Sequence, residues 1–353
     1  MADTKKYEIL KNVSIVHKDK TLYRIRALKE FTASNGSTVE VGNIGGFVES
    51  ENNLSQKGCC WIFFTAKVYD NAKVFDNACV YGAAEVFNKA EIFDDAKVYD
   101  DARVSEDAKI CGDAEIFGSA EVLGNAEISG NTQIFDDAVV CDNAVVCDNA
   151  EICGNSAICF DAKVFGNAKI SENAEIGSNA EVFGDAKVYG KAEVYGNAKV
   201  YGNAKVYGDA YIGGEVQIYD NAKICDKAEI YGNAEVKGDA YIYGDAKVCC
   251  VAKISGNKKV ETGKYIVKSL NVAEALSEVE LICKKINFIN KAIKSNFPVE
   301  EDYAKNLLSK FAKYSELIDY LHINESKISF TPNESKIYEL LRQNKKNIEK
   351  FNK

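Results

Sequence analysis

Val182–Tyr207 reads VFGDAKVYGKAEVYGNAKVYGNAKVY, an aliphatic residue at every sixth position with an alanine four residues after it. Followed outward, the pattern runs from Ile62 to Val260 without insertion or deletion, through 34 positions that are all valine or isoleucine. Of the 32 alanine slots between Ala66 and Ala252, only Thr132, Ser156 and Val216 depart. A six-residue period excludes a helix, whose apolar face recurs at three and four. Each hexad reads instead as a short K-V-Y strand, with valine inward and its neighbours outward. Gly-Asn or Gly-Asp then makes a turn that accepts positive φ. Alanine follows where the chain bends back and a larger side chain would clash. Repetition this strict over 199 residues specifies a repeat architecture, with its function on the outside of a narrow, filled interior.

The hexads resemble those of the hexapeptide-repeat family, the left-handed parallel β-helix. That resemblance implies three hexads per triangular coil and a left-handed coil. Over residues 62–260 it implies about eleven coils at the ~4.8 Å strand spacing, a rod of ~50 Å. The preceding residues 1–61 alternate like strands in Thr21–Phe31 and carry a turn at Ser34-Asn35-Gly36-Ser37. They then continue through GGFVESENNLS (Gly45–Ser55) and Cys60-Trp61. This leader, YRIRAL followed by GGF-ESE-NLS, resembles the opening of hexapeptide-repeat proteins common in bacterial prophages. Physically it is expected to be a small β cap, because a solenoid's first coil exposes strand edges and apolar side chains.

Beyond Val260 the spacing becomes helical. Val272, Ala275, Val279, Ile282, Ile286, Ile289 and Ile293 recur at three and four. A second segment begins at Pro298, and a third at Thr331-Pro332-Asn333-Glu334, which fits a capping box. Residues 261–353 are therefore expected to form a helical bundle, with an oligomerising coiled coil as the alternative. The expected fold class is mainly β: a left-handed parallel β-helix between a small N-terminal β cap and a C-terminal α-helical bundle.

Charge is uneven along the chain. The formal net charge is −9, of which the repeats carry −14 and the two ends +2 and +3. An acidic rod opposes non-specific nucleic-acid binding. Residues 1–20 are polar and lysine-rich, which predicts no secretion signal, and no stretch is long and apolar enough for a membrane span. Nine of the twelve cysteines lie from Cys79 to Cys250, at positions other hexads give to Tyr, Phe, Lys or Gly. They read as free thiols in a bacterial cytoplasm.

Relatives of this fold that act as acyltransferases use a histidine on the β-helix as general base. Here the two histidines, His17 and His322, both lie outside the repeats, which argues against acyl transfer. Cys141, Cys147, Cys153 and Cys159 suggest a metal comb, but six residues carry the chain to the next face. Only Cys141 and Cys159 should be neighbours, so no four-thiolate site is expected. No catalytic residue, cofactor or metal is assigned.

Residues eighteen apart should stack in columns. Lys73, Glu91, Lys109 and Glu127, then Lys163, Glu181 and Lys199, alternate in sign, as do Lys67, Glu85, Arg103 and Glu121. Alternation of this kind reads as structural. The third column places Lys169, Lys187, Lys205 and Lys223 together, beside Tyr189, Tyr207 and Tyr243. Turn acids such as Asp185, Asp209 and Asp220 could neutralise it; otherwise it suits an acidic protein or nucleic-acid strand. Phe63, Tyr81, Tyr99, Phe117 and Phe135 form an aromatic ladder on the same face, a candidate contact surface for a partner or a sister chain. The expected function is non-enzymatic: a phage-type rod that binds a protein or protein–nucleic-acid complex, in one version inhibiting a host defence or nuclease complex. The alternatives are a structural trimer or filament, joined through the aromatic face or the C-terminal helices, and an acyltransferase whose base escapes recognition.

Overall fold

The computed structural model describes residues 5–249, 251–261 and 265–266. The chain divides into two units, Met1–Val267 and Lys268–Lys353. The described residues all belong to the first. The helices expected from Val272 onward lie outside them.

The repeats form a parallel β-solenoid of about twelve turns. Each hexad contributes a two-residue strand, such as Lys187–Val188, and strands eighteen residues apart pair in parallel to build three sheets. Val188 lies opposite Val206 in register, as their spacing predicts. Strand amides and carbonyls bond to the next coil, as in Lys187 N to Ala204 O at 2.9 Å and Tyr189 N to Val206 O at 3.0 Å. The inward valines, isoleucines and alanines are buried along the whole rod. Thr132 and Ser156 fit alanine slots because each hydroxyl donates to the carbonyl three residues back, at 2.7 and 2.8 Å.

Each corner is a tight turn, closed in many hexads by the alanine N–H donating three residues back, as in Ala72 N to Tyr69 O. Positive φ falls on the first turn residue, often glycine or aspartate. Aspartate there has a second role, because its carboxylate accepts the amide of the residue one coil on. Asp94 Oδ2 accepts Gly112 N at 3.1 Å, and Asp148 Oδ2 accepts Gly166 N at 3.0 Å. Asparagines at the second turn position build amide ladders, such as Asn125 to Asn143 to Asp161, each step 3.0 Å. Much of the acidic charge of the rod is therefore structural.

The N-terminal region is β-rich, as its alternation predicts. Strands β1 (Tyr7–His17) and β2 (Lys20–Ala27) form an antiparallel hairpin turned at Lys18-Asp19. Two short strands, β3 (Phe31–Thr32) and β4 (Thr38–Val39), pair beside it. Strand β5 (Ile44–Val48) is antiparallel to β2 and parallel to Lys67–Val68, so it joins the hairpin to the solenoid. Val48 pairs with Val68, Leu54 bridges to Val74, and Ile62 pairs with Val80. The leader thus winds an irregular first coil of its own. At the other end the strand Tyr265–Ile266 continues the pairing one hexad past Val260. These additions raise the turn count above the eleven expected from residues 62–260.

Cap and rod share one core: Tyr7, Ile25, Ala27, Val39 and Trp61 join the aliphatic stack. The buried Trp61 meets Phe31 and Tyr7 edge-on, with ring centroids 5.6 and 6.3 Å away. Buried Asn53 donates to Asp70 O and Ala72 O, at 3.0 and 2.9 Å, and so fastens the first coil to the second.

Candidate interaction face

The third sheet runs from Trp61–Ile62 to Lys259–Val260 and carries the lysine column in its second half. Lys169, Lys187, Lys205, Lys223 and Tyr241 are directly opposite one another in consecutive coils. Lys169 forms an ion pair with Glu151, one coil earlier in the same column. The unneutralised run therefore begins at Lys187. Among the described residues, the side chains of Lys187, Lys205 and Lys223 have no ion-pair or hydrogen-bond partner. Lys187 and Lys223 are exposed and Lys205 is partly so.

Two of the three expected neutralising acids, Asp185 and Asp220, have other engagements. Asp185 Oδ1 accepts Asn167 Nδ2 at 2.9 Å, and Asp220 Oδ2 accepts Gly238 N at 3.0 Å. Both carboxylates serve the turn ladders, and no described acid, Asp209 included, makes an ion pair with Lys187, Lys205 or Lys223. Sequence reading missed two further cations, Lys191 and Lys227, exposed on the turns that follow Tyr189 and Cys225. Their signal was present: they replace the usual asparagine or aspartate at the second turn position.

Tyr189 and Tyr207 stack with ring centroids 4.9 Å apart and planes 1° from parallel, at the edge of the lysine face. Burial pushes the pKa of both phenols up, so the rings remain neutral. Tyr243 does not continue this stack. Cys225 interrupts the column, and the Tyr243 ring lies against Tyr241 at 4.8 Å.

The aromatic ladder at the other end of this face is real and half-buried. Phe63 meets Tyr81 edge-on at 6.4 Å, and from Tyr81 through Tyr99 and Phe117 to Phe135 the rings stack at 4.6 to 4.9 Å. Comparable ladders occupy the other corners, as in Phe165–Phe183–Tyr201–Tyr219 and Tyr69–Phe87. Ring stacking is thus a general device of these corners, and the ladder at Phe63–Phe135 does not set its face apart.

The alternating columns make the pairs their pattern predicts. Lys73–Glu91 is 2.9 Å, Arg103–Glu121 2.8 Å and Lys199–Glu181 2.8 Å. Among the described residues, only the lysine column combines an unpaired run of one sign with adjacent stacked tyrosines. Cys141 and Cys159 are neighbours across one coil step, while Cys147 and Cys153 stand in hexads belonging to the other two sheets.

No family model matches this chain, and no curated protein matches it.

Proposed function

We propose that this protein is a non-enzymatic rod that binds an acidic macromolecular surface along Lys187, Lys205 and Lys223, with Tyr189 and Tyr207 as rigid contact area. One observation carries the reading: three lysines stacked in consecutive coils without a partner, while the nearby Asp185 and Asp220 serve the turns. Like charges at the ~4.8 Å coil spacing repel, and an acidic partner converts that repulsion into attraction. The stacked tyrosines add contact area at low entropy cost. The partner is a protein or a protein–nucleic-acid complex of a bacterial host. In the phage-type reading suggested by the leader, binding inhibits a host defence or nuclease complex. The same reading takes the coil as left-handed.

The test is capture from host lysate with the wild-type chain and with Lys187→Glu/Lys205→Glu. The partner should be retained by the wild type, released by raised salt, and lost by the double reversal. Lys73→Glu/Lys109→Glu, placed in a paired column, should retain it. If both double variants capture the partner equally, this face is not the site.

A further inference from the structure

Cys141 and Cys159 follow Val140 and Ile158, which pair directly across one coil step. Their sulfur atoms and a carboxylate oxygen of Asp142 all lie within 4.8 Å of one another. Among the described residues this is the one group of three Cys, His, Asp or Glu side chains drawn together in this way. Both thiols are half-buried and Asp142 is exposed, so the group opens to solvent on one side. Asp142 Oδ2 is 3.8 Å from Cys141 Sγ and accepts the Phe160 amide at 2.9 Å. That backbone bond holds the carboxylate beside the sulfurs.

The surroundings are those of a break in the corner's side-chain column. One coil past Cys159 the position is Gly177, and the rings of Tyr195 and Phe160 close over it. A Cβ on Gly177 would come within 2.5 Å of Tyr195 Cε1 and 3.3 Å of Phe160 Cδ2. Tyr195 is held there by donating to Glu175 Oε2 at 2.5 Å. The thiols are therefore flanked by aromatic rings.

We propose that Cys141, Cys159 and Asp142 form a binding site for a thiophilic divalent cation of the zinc type, with a fourth position open to water. Two thiolates and one carboxylate are a donor set that zinc accepts, and three protein ligands leave one tetrahedral position vacant. Coil spacing favours a metal over a disulfide. In-register strands hold neighbouring side chains at ~4.8 Å, whereas a disulfide needs its Cβ atoms at ~3.8 Å. Two Zn–S bonds of ~2.3 Å at a tetrahedral angle span a sulfur separation of ~3.8 Å, which side-chain rotation supplies without moving the backbone. Binding displaces the thiol protons into solvent, so affinity should rise with pH.

The experiment titrates the reduced full-length chain with Cd²⁺ as the probe, reading thiolate-to-metal charge-transfer absorption, with Zn²⁺ as competitor. One equivalent should bind at this site and be displaced by Zn²⁺. Cys141→Ser and Cys159→Ser should each abolish that equivalent. Serine occupies the equivalent corner at Ser105, so neither change threatens the fold. Cys147→Ser and Cys153→Ser should leave it intact. Asp142→Asn, which keeps the turn's positive φ, should weaken it at least ~10-fold, the lower range for disturbing a ligand's surroundings. The proposal is overturned if Cys141→Ser/Cys159→Ser binds Cd²⁺ with wild-type stoichiometry and affinity. It is equally overturned if the pair loses two thiols, recoverable with dithiothreitol, and takes up no metal.

Discussion

Gly45 and Gly46 show why the leader has the residues it has. A Cβ on Gly46 would sit 2.4 Å from Ile62 Cγ2 and 2.6 Å from Ala66 O, and one on Gly45 2.6 Å from both Ile25 Cγ1 and Ile62 O. The strand that joins hairpin to rod passes too close to the first coils for any side chain. Gly46→Ala should therefore destabilise the cap by about 2 kcal/mol, the cost of overpacking a filled core, measurable as faster hydrogen exchange in β1 and β2. Glu85 anchors the same hairpin from the rod. Lys18 is 2.9 Å from it, His17 3.1 Å and Lys67 3.3 Å, and Tyr69 donates to it at 3.2 Å. Burial opposes ionisation, but the Lys18 hydrogen bond and the neighbouring cations outweigh it and hold the carboxyl at about 2 rather than 4.5. Because the folded pKa is depressed, this anchoring is complete above pH 4.5 and is lost as pH falls toward about 2. Hydrogen exchange of the hairpin should accelerate through that window. In Glu85→Gln it should already be fast at neutral pH, by roughly 1–2 kcal/mol after allowance for solvent screening, and should vary little with acid.

At the scale of strands and corners, stability is shared among many small cross-coil terms. Exposed pairs such as Lys73–Glu91 contribute roughly 0.2–1 kcal/mol each. Lys73→Glu/Lys109→Glu should cost about 1–2 kcal/mol, since each reversal replaces attraction by repulsion between coils. Adding Glu91→Lys should recover part of that loss in thermal unfolding. The ring ladders are worth more. Phe183 stacks between Phe165 and Tyr201 at 4.8 Å on either side, and Phe183→Ala should cost about 2–3 kcal/mol from lost burial and two lost stacks. Lys187→Glu/Lys205→Glu, by contrast, breaks no observed pair and should leave the midpoint within about 1 kcal/mol of wild type. That difference separates a face used for binding from one used for holding coils together.

For the whole molecule, every hexad is interchangeable on the inside and distinct on the outside. Deleting residues 194–199 removes one hexad and leaves the run of inward aliphatics unbroken. The chain should therefore still fold, with a β-type circular dichroism spectrum. Every later strand, however, moves to the next sheet. Lys205 then takes the place of Lys199, Lys187 loses its neighbour, and partner capture should fail. Deleting residues 188–205, a full coil, joins Lys187 to residues 206 onward in the original register. That variant restores the column as Lys187–Lys223 and should recover part of the binding. A six-residue deletion that captured as well as wild type would detach function from the column.

The period of six, the inward valines and isoleucines, the alanine at each bend and the turn acids or glycines were all legible in the chain, because each answers to a local constraint repeated 34 times. The eighteen-residue stacking came with the family resemblance, and the register of Val188 on Val206 agrees with it. What the sequence left open depended on which groups meet across coils. Asp185 and Asp220 serve turns rather than lysines, and Lys169 is taken by Glu151. Tyr243 leaves its column for Tyr241, and Asp142 joins two cysteines. The leader's Leu54 and Ile62 belong to a coil with two extra residues, which a fixed period cannot detect. A periodic sequence dictates which side a residue faces; side-chain reach across the gap between coils decides what it touches.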